Sequence, residues 1–592
     1  MNNASLELGG TNWAEKDASL LGYTVSDDSG RFSPQEFTFA RGSNLAATRI
    51  GKTGLIEKGR ENLILQSNQF DTTWVKTISS VTSGHSGYDG SNNAWKLIQN
   101  TNTGYHYINQ GITNTSVQTF SIYAKAGEYS GISFFIKNLA GNSTASTFNL
   151  STGTFVSNTH NATAESVGNG WYRISLLTKP NGYQTLNVYV NQTTQQSEAG
   201  DGTSGIYIQN AQLEQGLAAS PYISTTTTTA QAGVLENTPR LNYTTGVANP
   251  YLLLEPSRTN LVKYSEYLNG IVWNGEIGVS IGTNKTTSPE GFVNSASIIE
   301  DTSNGSHFAY KDFTLTSGTT YTISIYAKKN GTNRNLQFGD GGLGWSSGFT
   351  ALFNLTAGTA TGGTIEPIGN DWYRCSVTGT TNATTCRLIM YPLLGNATSY
   401  QGDGTSGVFL YGFQIEQGSY PTSYIPTYSV SATRAVDSCS KTGVSSLINS
   451  PEGTMFIDIA ALSDDGTNRY LSINDGTTSN YIYFRYVSTS NNMIMRVAIG
   501  GVTINTLTYV SPDTTIFSKA ALKWKGGDYS FWVDGVERGS NSSATAFGAG
   551  VLNEITFGFP TGGGDDFNSK MKQLLVFPTA LTDAQLATLT TI

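Results

Sequence analysis

Short runs in which apolar and polar residues alternate dominate the chain, and turn-forming residues separate these runs. In the run YTISIYA, for example, Tyr321, Ile323 and Ile325 share one side and the residues between them face the other. A period of two indicates a half-buried β-strand. Helical periodicity is nearly confined to LTDAQLATLT near the last residue, where Thr582 is placed to cap a short helix. The pattern predicts an all-β protein of tandem β-sandwich (jelly-roll) domains with little helix.

A long internal repeat organises these strands. FSIYAK, FNLSTGT, GNGWYRIS and GDGTSGIYIQNAQLEQG recur in the same order as ISIYAK, FNLTAGT, GNDWYRCS and GDGTSGVFLYGFQIEQG. Trp171 recurs as Trp372 and Asp201 as Asp403, offsets of 201 and 202 positions. Four ordered phrases at a nearly constant offset predict a duplicated domain.

The repeat divides the chain into five predicted segments. These are a connector at 1–58, the first copy at 59–226, a linker and connector at 227–256, the second copy at 257–428, and a third sandwich at 429–592. Because the first segment lacks a complete sandwich pattern, its apolar positions need a partner. We therefore expect that segment to attach the chain to another protein.

The third sandwich is predicted to differ from the two copies, because its phrases match neither of them. Six strand-like runs follow residue 450, among them NRYLSINDGTTSNYIYFRYV and KWKGGDYSFWVDGVE. In the second of these, Asp534 and Gly535 supply the positive backbone angles that a tight hairpin turn needs.

Composition narrows the possible partners. Only 13% of the 592 residues are charged, the net charge is −8, and no lysine or arginine stripe offers a face for phosphates, so nucleic-acid binding is not expected. No run of about 18 apolar residues predicts a membrane-spanning helix. No secretory signal is visible at the first residues, so assembly in a host cytoplasm is expected. The cysteines Cys375, Cys386 and Cys439 are expected to be free buried thiols.

Nothing in the chain predicts catalysis. It contains no Gly-x-Ser-x-Gly elbow, no HExxH motif and no P-loop, and no pair of carboxylates stands out in an aromatic cleft. Four histidines leave little capacity for acid–base chemistry. The protein is therefore expected not to be an enzyme.

Several of these phrases resemble known families. KWKGGDYSFWVDGVE and MKQLLVFPTALTDAQL resemble the central hairpin and last strand of laminin-G-like, concanavalin-like jelly rolls. GNDWYRCS and QIEQGSYPTSYIPT resemble carbohydrate-binding-module-type jelly rolls of bacteriophage structural proteins. The stretches FTFARGSNLAATRIGKTGLIE, LLLEPSRTNL and SATRAVD resemble connectors of phage tail- or head-fibre proteins.

The resemblance implies a virion appendage that forms a homotrimer, contacts other virion proteins and adheres to host cell-surface glycans. Two alternatives stay open: a purely architectural head or tail decoration protein without sugar affinity, and a polysaccharide-degrading enzyme with accessory modules. The position on the particle and the identity of the glycan stay open as well.

Candidate glycan-binding residues follow from how proteins hold sugars, with an aromatic ring against the apolar sugar face and polar side chains on the hydroxyls. Aromatics found in both copies, such as Trp171 and Trp372, are expected to pack in the core. Those peculiar to one copy are better candidates. Trp345, in a glycine-rich loop, leads this group, followed by Tyr88 and Trp95.

Candidate metal ligands also repeat between the copies. Asp201 and Asp403 stand in Gly-Asp-Gly turns, and Glu214 and Glu416 stand on the last strand of each copy. Jelly-roll binding modules often carry a structural calcium held by carboxylate and backbone oxygens, so these four residues are candidate calcium ligands. An ordinary turn explains Gly-Asp-Gly equally well. No other cofactor is expected.

Overall fold

The computed structural model describes residues 4–11, 13–16, 19–25, 32–43, 45–114, 116–137, 143–178, 182–192, 197–244, 246–269, 272–346, 349–560 and 566–592. Within them the chain forms 51 strands and one short helix, which confirms the predicted all-β class. The described residues contain no helix long and apolar enough to cross a bilayer.

The N-terminal residues and the first copy supply the first 21 strands. The N-terminal strands are β1 (Leu6–Gly9), β2 (Ala14–Lys16), β3 (Ser19–Val25), β4 (Phe32–Ala40), β5 (Thr48–Ile50), β6 (Ile56–Lys58) and β7 (Arg60–Asn62). The first copy contains β8 (Val75–Thr77), β9 (Ser79–His85), β10 (Ala94–Gln99), β11 (Thr103–Gly104), β12 (Tyr107–Asn114), β13 (Gln118–Ala126), β14 (Gly131–Lys137), β15 (Ser143–Asn149), β16 (Thr154–Ser157), β17 (Thr163–Gly168), β18 (Trp171–Thr178), β19 (Gly182–Asn191), β20 (Glu198–Ala199) and β21 (Gly205–Gln215).

A connector and the second copy supply the next 18. The connector contains β22 (Ala230–Ala232), β23 (Leu241–Asn242), β24 (Tyr251–Leu253) and β25 (Arg258–Asn260). The second copy contains β26 (Gly275–Ile277), β27 (Val279–Gly282), β28 (Ala296–Glu300), β29 (Asn304–Ser306), β30 (Phe308–Thr314), β31 (Thr320–Asn330), β32 (Arg334–Gly339), β33 (Ala351–Asn354), β34 (Thr359–Thr361), β35 (Thr364–Gly369), β36 (Trp372–Thr380), β37 (Thr385–Leu394), β38 (Ser399–Gln401) and β39 (Gly407–Gln417).

The C-terminal part supplies the remaining elements. These are β40 (Ala432–Arg434), β41 (Ser438–Thr442), β42 (Glu452–Ala461), β43 (Arg469–Asn474), β44 (Tyr481–Tyr486), β45 (Asn492–Ile499), β46 (Val502–Val510), β47 (Ser518–Lys525), β48 (Tyr529–Val533), β49 (Val536–Asn541), β50 (Glu554–Thr556), β51 (Ser569–Phe577) and the helix α1 (Asp583–Thr590).

The two copies have the same topology. The first stacks a sheet ordered β16-β15-β14-β19-β12-β8, here the β12 sheet, on a sheet ordered β17-β18-β13-β21-β10-β9, the β13 sheet. The second copy repeats both orders strand for strand as the β30 sheet, β34-β33-β32-β37-β30-β26, and the β31 sheet, β35-β36-β31-β39-β28-β27. The predicted duplication is therefore a duplication of one sandwich.

Alternation along the strands creates each core. In β19, Leu186, Val188 and Val190 are fully buried between the two sheets, and the residues between them point to the outer side. Tyr321, Ile323 and Ile325 of β31 occupy the core of the second copy, as their spacing predicts. The cores thus use the period of two that is visible in the sequence.

The third sandwich contains strands from both ends of the chain. Strand β1 pairs with β51 in antiparallel register, with Leu8 opposite Leu574, and β4 pairs with β41. The connector strand β24 also pairs with β51. Leu6, Leu8 and Phe37 have no exposed surface within this core. These three apolar side chains are therefore covered by the chain's own C-terminal strands and need no external partner. Attachment of residues 1–58 to another protein stays a prediction.

Local predictions in the C-terminal part are confirmed. Strands β48 and β49 form a hairpin whose turn residues Asp534 and Gly535 have φ angles of 51° and 78°. The helix α1 is capped by Thr582, which forms a capping box with Gln585. The three cysteines are free and buried, also as predicted.

Buried charges join the modules. In one group, here the upper ion cluster, Arg41, Arg240 and Arg434 contact Glu255 and Asp437, and these side chains are at most 4% exposed. A second group, the lower ion cluster, consists of Lys58, Arg60, Glu214, Glu266 and Glu290. Because each cluster draws residues from segments far apart in sequence, the modules are packed against one another.

Candidate functional site

Trp345 lies inside the second copy. Its side chain is 4% exposed and stacks on Phe349 with 3.9 Å between ring centroids. Its indole Nε1 donates a hydrogen bond to the Arg387 carbonyl oxygen at 2.8 Å. A ring covered in this way presents no free face, so the structure does not support its selection as a sugar-stacking residue.

The other two predicted aromatics lie apart from each other. Trp95 belongs to the core of the first copy, is 7% exposed and donates from Nε1 to the Asn68 carbonyl oxygen at 3.0 Å. Tyr88 lies on the outer side of the β13 sheet and is stacked on Tyr123 at 3.7 Å. The structure therefore forms no common site from Tyr88 and Trp95.

The four candidate calcium ligands do not meet either. Asp201 precedes β21 and Glu214 lies near its end, so the rise of a strand separates them by roughly 30 Å. In the second copy, Asp403 likewise precedes β39 and Glu416 lies near the end of that strand. A cation bound by one carboxylate of either pair is out of reach of the other.

Each of these carboxylates has another partner. Asp201 accepts hydrogen bonds from the Ser204 hydroxyl and from the backbone N–H groups of Ser204 and Thr203. These hydrogen bonds hold the pKa of its carboxyl well below the usual range. Asp403 caps its own turn identically, through Thr405 and Ser406.

The two glutamates are held inside the molecule. Glu214 accepts from Arg60 Nη1 at 2.9 Å, and Glu416 accepts from the Thr422 N–H at 2.9 Å. Burial raises the pKa of Glu416. Among the described residues, no group of three or more His, Cys, Asp or Glu side chains is arranged to hold a metal ion.

An aromatic surface lies on the outer side of the β12 sheet in the first copy. Tyr107 lies directly across from Tyr189, with 4.6 Å between ring centroids. Phe135 and Tyr105 contact Tyr189 from two further directions, at 5.2 and 6.2 Å. Tyr105 is 49% exposed. These four residues are here called the first aromatic face.

Polar groups flank this face. Asn109 pairs with Asn187 in the next row of the sheet, and Asn187 Nδ2 donates to the Phe135 carbonyl oxygen at 3.2 Å. Burial, together with the neighbouring tyrosines Tyr107 and Tyr105, raises the pKa of Tyr189 to about 12. The hydroxyl group of Tyr189 is therefore a neutral hydrogen-bonding group at physiological pH.

The second copy carries an aromatic face at the equivalent place on the β30 sheet. Phe308 contacts Tyr391 at 5.3 Å, as Tyr107 contacts Tyr189 in the first copy. Tyr310 lies next to Phe308 and is covered by the Arg387 guanidinium, 4.3 Å from the ring centroid. Phe308, Tyr310, Arg387 and Tyr391 are here called the second aromatic face.

A glycine shapes the second face. Gly275 of β26 lies opposite Tyr310, and a Cβ at this position would lie 2.4 Å from the Tyr310 ring carbon Cε1. The absence of a side chain lets the tyrosine ring lie close against the neighbouring strand.

A charged pair borders this face. Arg387 Nε donates to Asp312 Oδ1 at 2.7 Å, and this hydrogen bond holds the pKa of Asp312 below its usual value. Both side chains are about one-third exposed or less, so they can reach a ligand that lies on the rings. Together the pair offers a donor and an acceptor at the edge of an aromatic surface.

A third aromatic group lies in the C-terminal sandwich. Tyr470, Tyr481 and Tyr483 cluster with Phe559, and Arg485 Nη1 donates to the Tyr470 hydroxyl at 2.7 Å. The three tyrosines are 1–7% exposed. This group therefore offers less free ring surface than the faces of the two copies.

The internal repeat of the sequence contains a signal for the two aromatic faces. Tyr107 and Tyr189 match Phe308 and Tyr391 between the copies, with offsets of 201 and 202 positions. The expectation that aromatics present in both copies are buried is confirmed for Trp171, Trp372 and Tyr189, whereas Tyr107, Phe308 and Tyr391 are partly exposed on the outer sides of their sheets. Tyr189 lies between Val188 and Val190, so its phase opposes that of the core.

The comparisons with known proteins point to the C-terminal sandwich. Residues 454–587 match the family described as the Concanavalin A-like lectin/glucanases superfamily, which confirms the predicted laminin-G/concanavalin-like domain. The match spans less than a quarter of the chain. No curated protein matches the chain.

Several solved structures are similar to parts of the chain. The CBM40 domain of the Ruminococcus gnavus IT-sialidase bound to α2,3-sialyllactose is 18% identical over 24% of this chain and 84% of that chain, with a TM-score of 0.22. The CBM22 tandem domain of Paenibacillus barcinonensis Xyn10C is 11% identical over 64% and 100%, with a TM-score of 0.21. Domains LG4-5 of the mouse laminin α1 chain are 10% identical over 47% and 85%, with a TM-score of 0.17.

Proposed function

We propose that the protein is a non-enzymatic structural appendage of a bacteriophage particle that adheres to host cell-surface glycans through the two aromatic faces. The observation that carries this proposal is the repetition of one aromatic pair on the outer side of a sheet, Tyr107 with Tyr189 and Phe308 with Tyr391, at the same place in both copies. Tyr189 is 8% exposed and the other three rings are partly exposed. Partly exposed rings flanked by amide, carboxylate and guanidinium groups have the chemistry that holds a sugar by stacking and by hydrogen bonds.

Adhesion of this kind relies on several weak sites. Each face lies on the outer side of a sheet, so a single site gains little from enclosure. Two faces on one chain, multiplied by assembly into a homotrimer, raise the avidity through effective concentration when the glycan spans the sites. A trimer on the virion, in contact with other virion proteins, fits this requirement. The phage setting rests on the resemblance of the connector stretches to fibre proteins.

Variants on the faces test the binding role. Tyr105→Ala with Tyr107→Ala on the first face, and Phe308→Ala with Tyr391→Ala on the second, remove exposed rings. On an array of bacterial surface glycans we expect each pair to weaken the signal roughly three- to tenfold, because each loses stacking surface. Tyr509→Ala, in the C-terminal domain, is the matched control and should bind like the wild type. If a variant that combines all four substitutions binds like the wild type, the faces are not the glycan site.

The architectural alternative has an observation in its favour. Two buried ion clusters pack the modules against one another, as a rigid spacer requires. If the wild-type protein binds no glycan on the array, the architectural alternative is favoured. Gold-labelled antibody on intact particles tests the virion location under either reading, and label confined to the host cytoplasm would contradict it. Release of oligosaccharides from host capsule would contradict a non-enzymatic role.

A further inference from the structure

Two cavities of similar size lie outside the aromatic faces, one beside each copy. The first encloses about 320 Å³ against β17 and β18, and the second about 310 Å³ against β35 and β36. These strands occupy equivalent positions in the β13 and β31 sheets. The two cavities are here called the first and second junction pockets. Their volumes lie at the lower end of the range for small-molecule sites.

Equivalent arginines of the two copies line the two pockets. Arg173 and Arg374 are the arginines of the repeated phrase Trp-Tyr-Arg, and their guanidinium carbons lie 5.4 and 5.5 Å from the ring centroids of Tyr123 and Tyr326. In each case Nη2 donates to a serine hydroxyl, Ser121 or Ser324, at 3.1 Å.

Each arginine also ties down the segment that follows the last strand of its copy. Nη2 of Arg173 donates to the Ser220 carbonyl oxygen, and Nη2 of Arg374 donates to that of Thr422. All of the hydrogen bonds described for these arginines leave from Nη2. The guanidinium groups are therefore fixed in position while the other terminal nitrogen, Nη1, is left for a further acceptor.

A glutamate lies directly across the strand from each arginine without pairing with it. Glu165 is the cross-strand partner of Arg173, and Glu366 is that of Arg374. Both glutamates line their pockets and are exposed. Within the described part of the chain neither carboxylate has a hydrogen bond or an ion pair. Glu366 still attracts Arg374 through its charge, but neither glutamate lies within hydrogen-bonding or ion-pair distance of its arginine, so a ligand can reach both groups.

The remaining walls come from other modules. The first pocket is closed by Asn284 and Phe292 of the second copy, and the second by Tyr251 of the connector together with Arg49. Each pocket thus combines a fixed guanidinium, a free carboxylate and an aromatic ring. A ligand in either pocket contacts two modules at once.

We infer that the junction pockets are a pair of equivalent binding sites for a neutral sugar unit, separate from the aromatic faces. One hydroxyl of the sugar accepts from the arginine, a second donates to the glutamate, and the ring packs on Phe292 or Tyr251. The free carboxylate repels an anionic ligand, so uronic acids and sulfated sugars are disfavoured in the first pocket, whereas Arg49 and Lys570 offset this repulsion in the second. This inference holds independently of glycan binding by the faces.

Saturation-transfer NMR on the 592-residue chain tests it, with methyl β-glucopyranoside, methyl β-galactopyranoside and methyl α-mannopyranoside as neutral probes and methyl β-glucuronide as the anionic probe. We expect saturation of at least one neutral glycoside and weaker saturation of the glucuronide. Glu165→Ala with Glu366→Ala should weaken the neutral glycoside about tenfold, because a charge-assisted hydrogen bond is lost at each site. Each single variant should remove roughly half of the signal.

Two controls separate this site from the aromatic faces and from unfolding. Glu537→Ala removes an exposed carboxylate of the C-terminal domain and should leave the signal unchanged. The face variants Tyr107→Ala and Tyr391→Ala should retain glycoside binding even if they abolish binding on the array. The inference is overturned if no neutral glycoside is saturated, if the glutamate double variant binds like the wild type, or if the face variants alone abolish the signal.

Discussion

Tyr189 and Tyr391 occupy equivalent positions in β19 and β37, and each lies between two residues that point into a core. Val188 and Val190 flank Tyr189, and Met390 and Pro392 flank Tyr391; all four flanking residues are buried. Tyrosine suits either side of a sheet, because its ring packs like an apolar group and its hydroxyl remains polar. What distinguishes an outer tyrosine is therefore its phase relative to the core residues.

The residue-scale prediction that is most specific to this geometry concerns Gly275. Gly275→Ala places a methyl group against the ring of Tyr310, which must turn away from the β26 strand and from Arg387. We expect a loss of about 1–3 kcal/mol in the free energy of unfolding, measured by chemical denaturation. Glycan binding through the second aromatic face should fall with it. Gly305→Ala is the matched control, because its Cβ meets no atom within 4 Å.

Candidate sites were harder to predict from the sequence than strands were. The glycine-rich loop around Trp345 and the lack of a counterpart in the first copy predict an accessible ring. The loop folds back, and the indole stacks on Phe349, a contact that no local pattern reveals. Local sequence also fails to show how far apart Asp201 and Glu214 lie. The two residues are close in sequence and repeated between the copies, yet an extended strand separates them.

At the scale of elements, the strands and their grouping into two equal sandwiches follow from alternation and from the repeat. The partners of the N-terminal strands do not. Strand β1 carries Leu6 and Leu8 in the correct alternation, but its partner β51 begins more than 550 residues later. Pairing over such a separation is set by the folded modules that bring the strands together, and a single sequence carries no pattern for it.

Replacing Leu8 tests how far the C-terminal sandwich depends on the N-terminal strands. Leu8→Ala removes a fully buried side chain from the core shared by β1 and β51, at an expected cost of about 2–5 kcal/mol. Hydrogen exchange should show faster exchange of the amides in Ser569–Phe577. Leu186→Ala, the same change in the core of the first copy, should leave those amides protected. Equal protection in both variants would mean that the C-terminal sandwich is stable without β1.

At the scale of the whole molecule, the lower ion cluster joins the N-terminal strands to both copies. Lys58 Nζ lies 2.6 Å from Glu266 Oε1 and 3.2 Å from Glu290 Oε1, and Arg60 contacts Glu214 and Glu290. Tyr411 donates to Glu290 Oε2 at 2.8 Å. A buried charge group of this kind is strongly destabilised when one partner is lost, because the remaining charges stay buried without compensation.

Acid should therefore weaken the packing of the modules. Burial by itself would raise the pKa of Glu290, but Lys58 and Arg60 hold it at about 2, below the ordinary value of 4.5. A carboxyl whose folded-state pKa is depressed stabilises the protein above its unfolded-state pKa. That contribution, on the order of 3 kcal/mol, is lost as the pH falls from about 4.5 to about 2. We expect the radius of gyration from small-angle scattering to rise and the melting temperature to fall across this window.

A carboxyl-free variant shows whether Glu290 is responsible. Glu290→Gln should already be about 3–5 kcal/mol less stable at neutral pH, because Lys58 and Arg60 lose part of their compensation. Its stability should then change less between pH 4.5 and pH 2 than that of the wild type. Glu537→Gln, an exposed site in the C-terminal domain, should keep the wild-type pH dependence. If the stability of the Glu290→Gln variant falls with pH in parallel with that of the wild type, other carboxylates hold the modules together. Glu255 is the first candidate, because Arg434 and Arg240 keep its pKa well below the usual range despite burial.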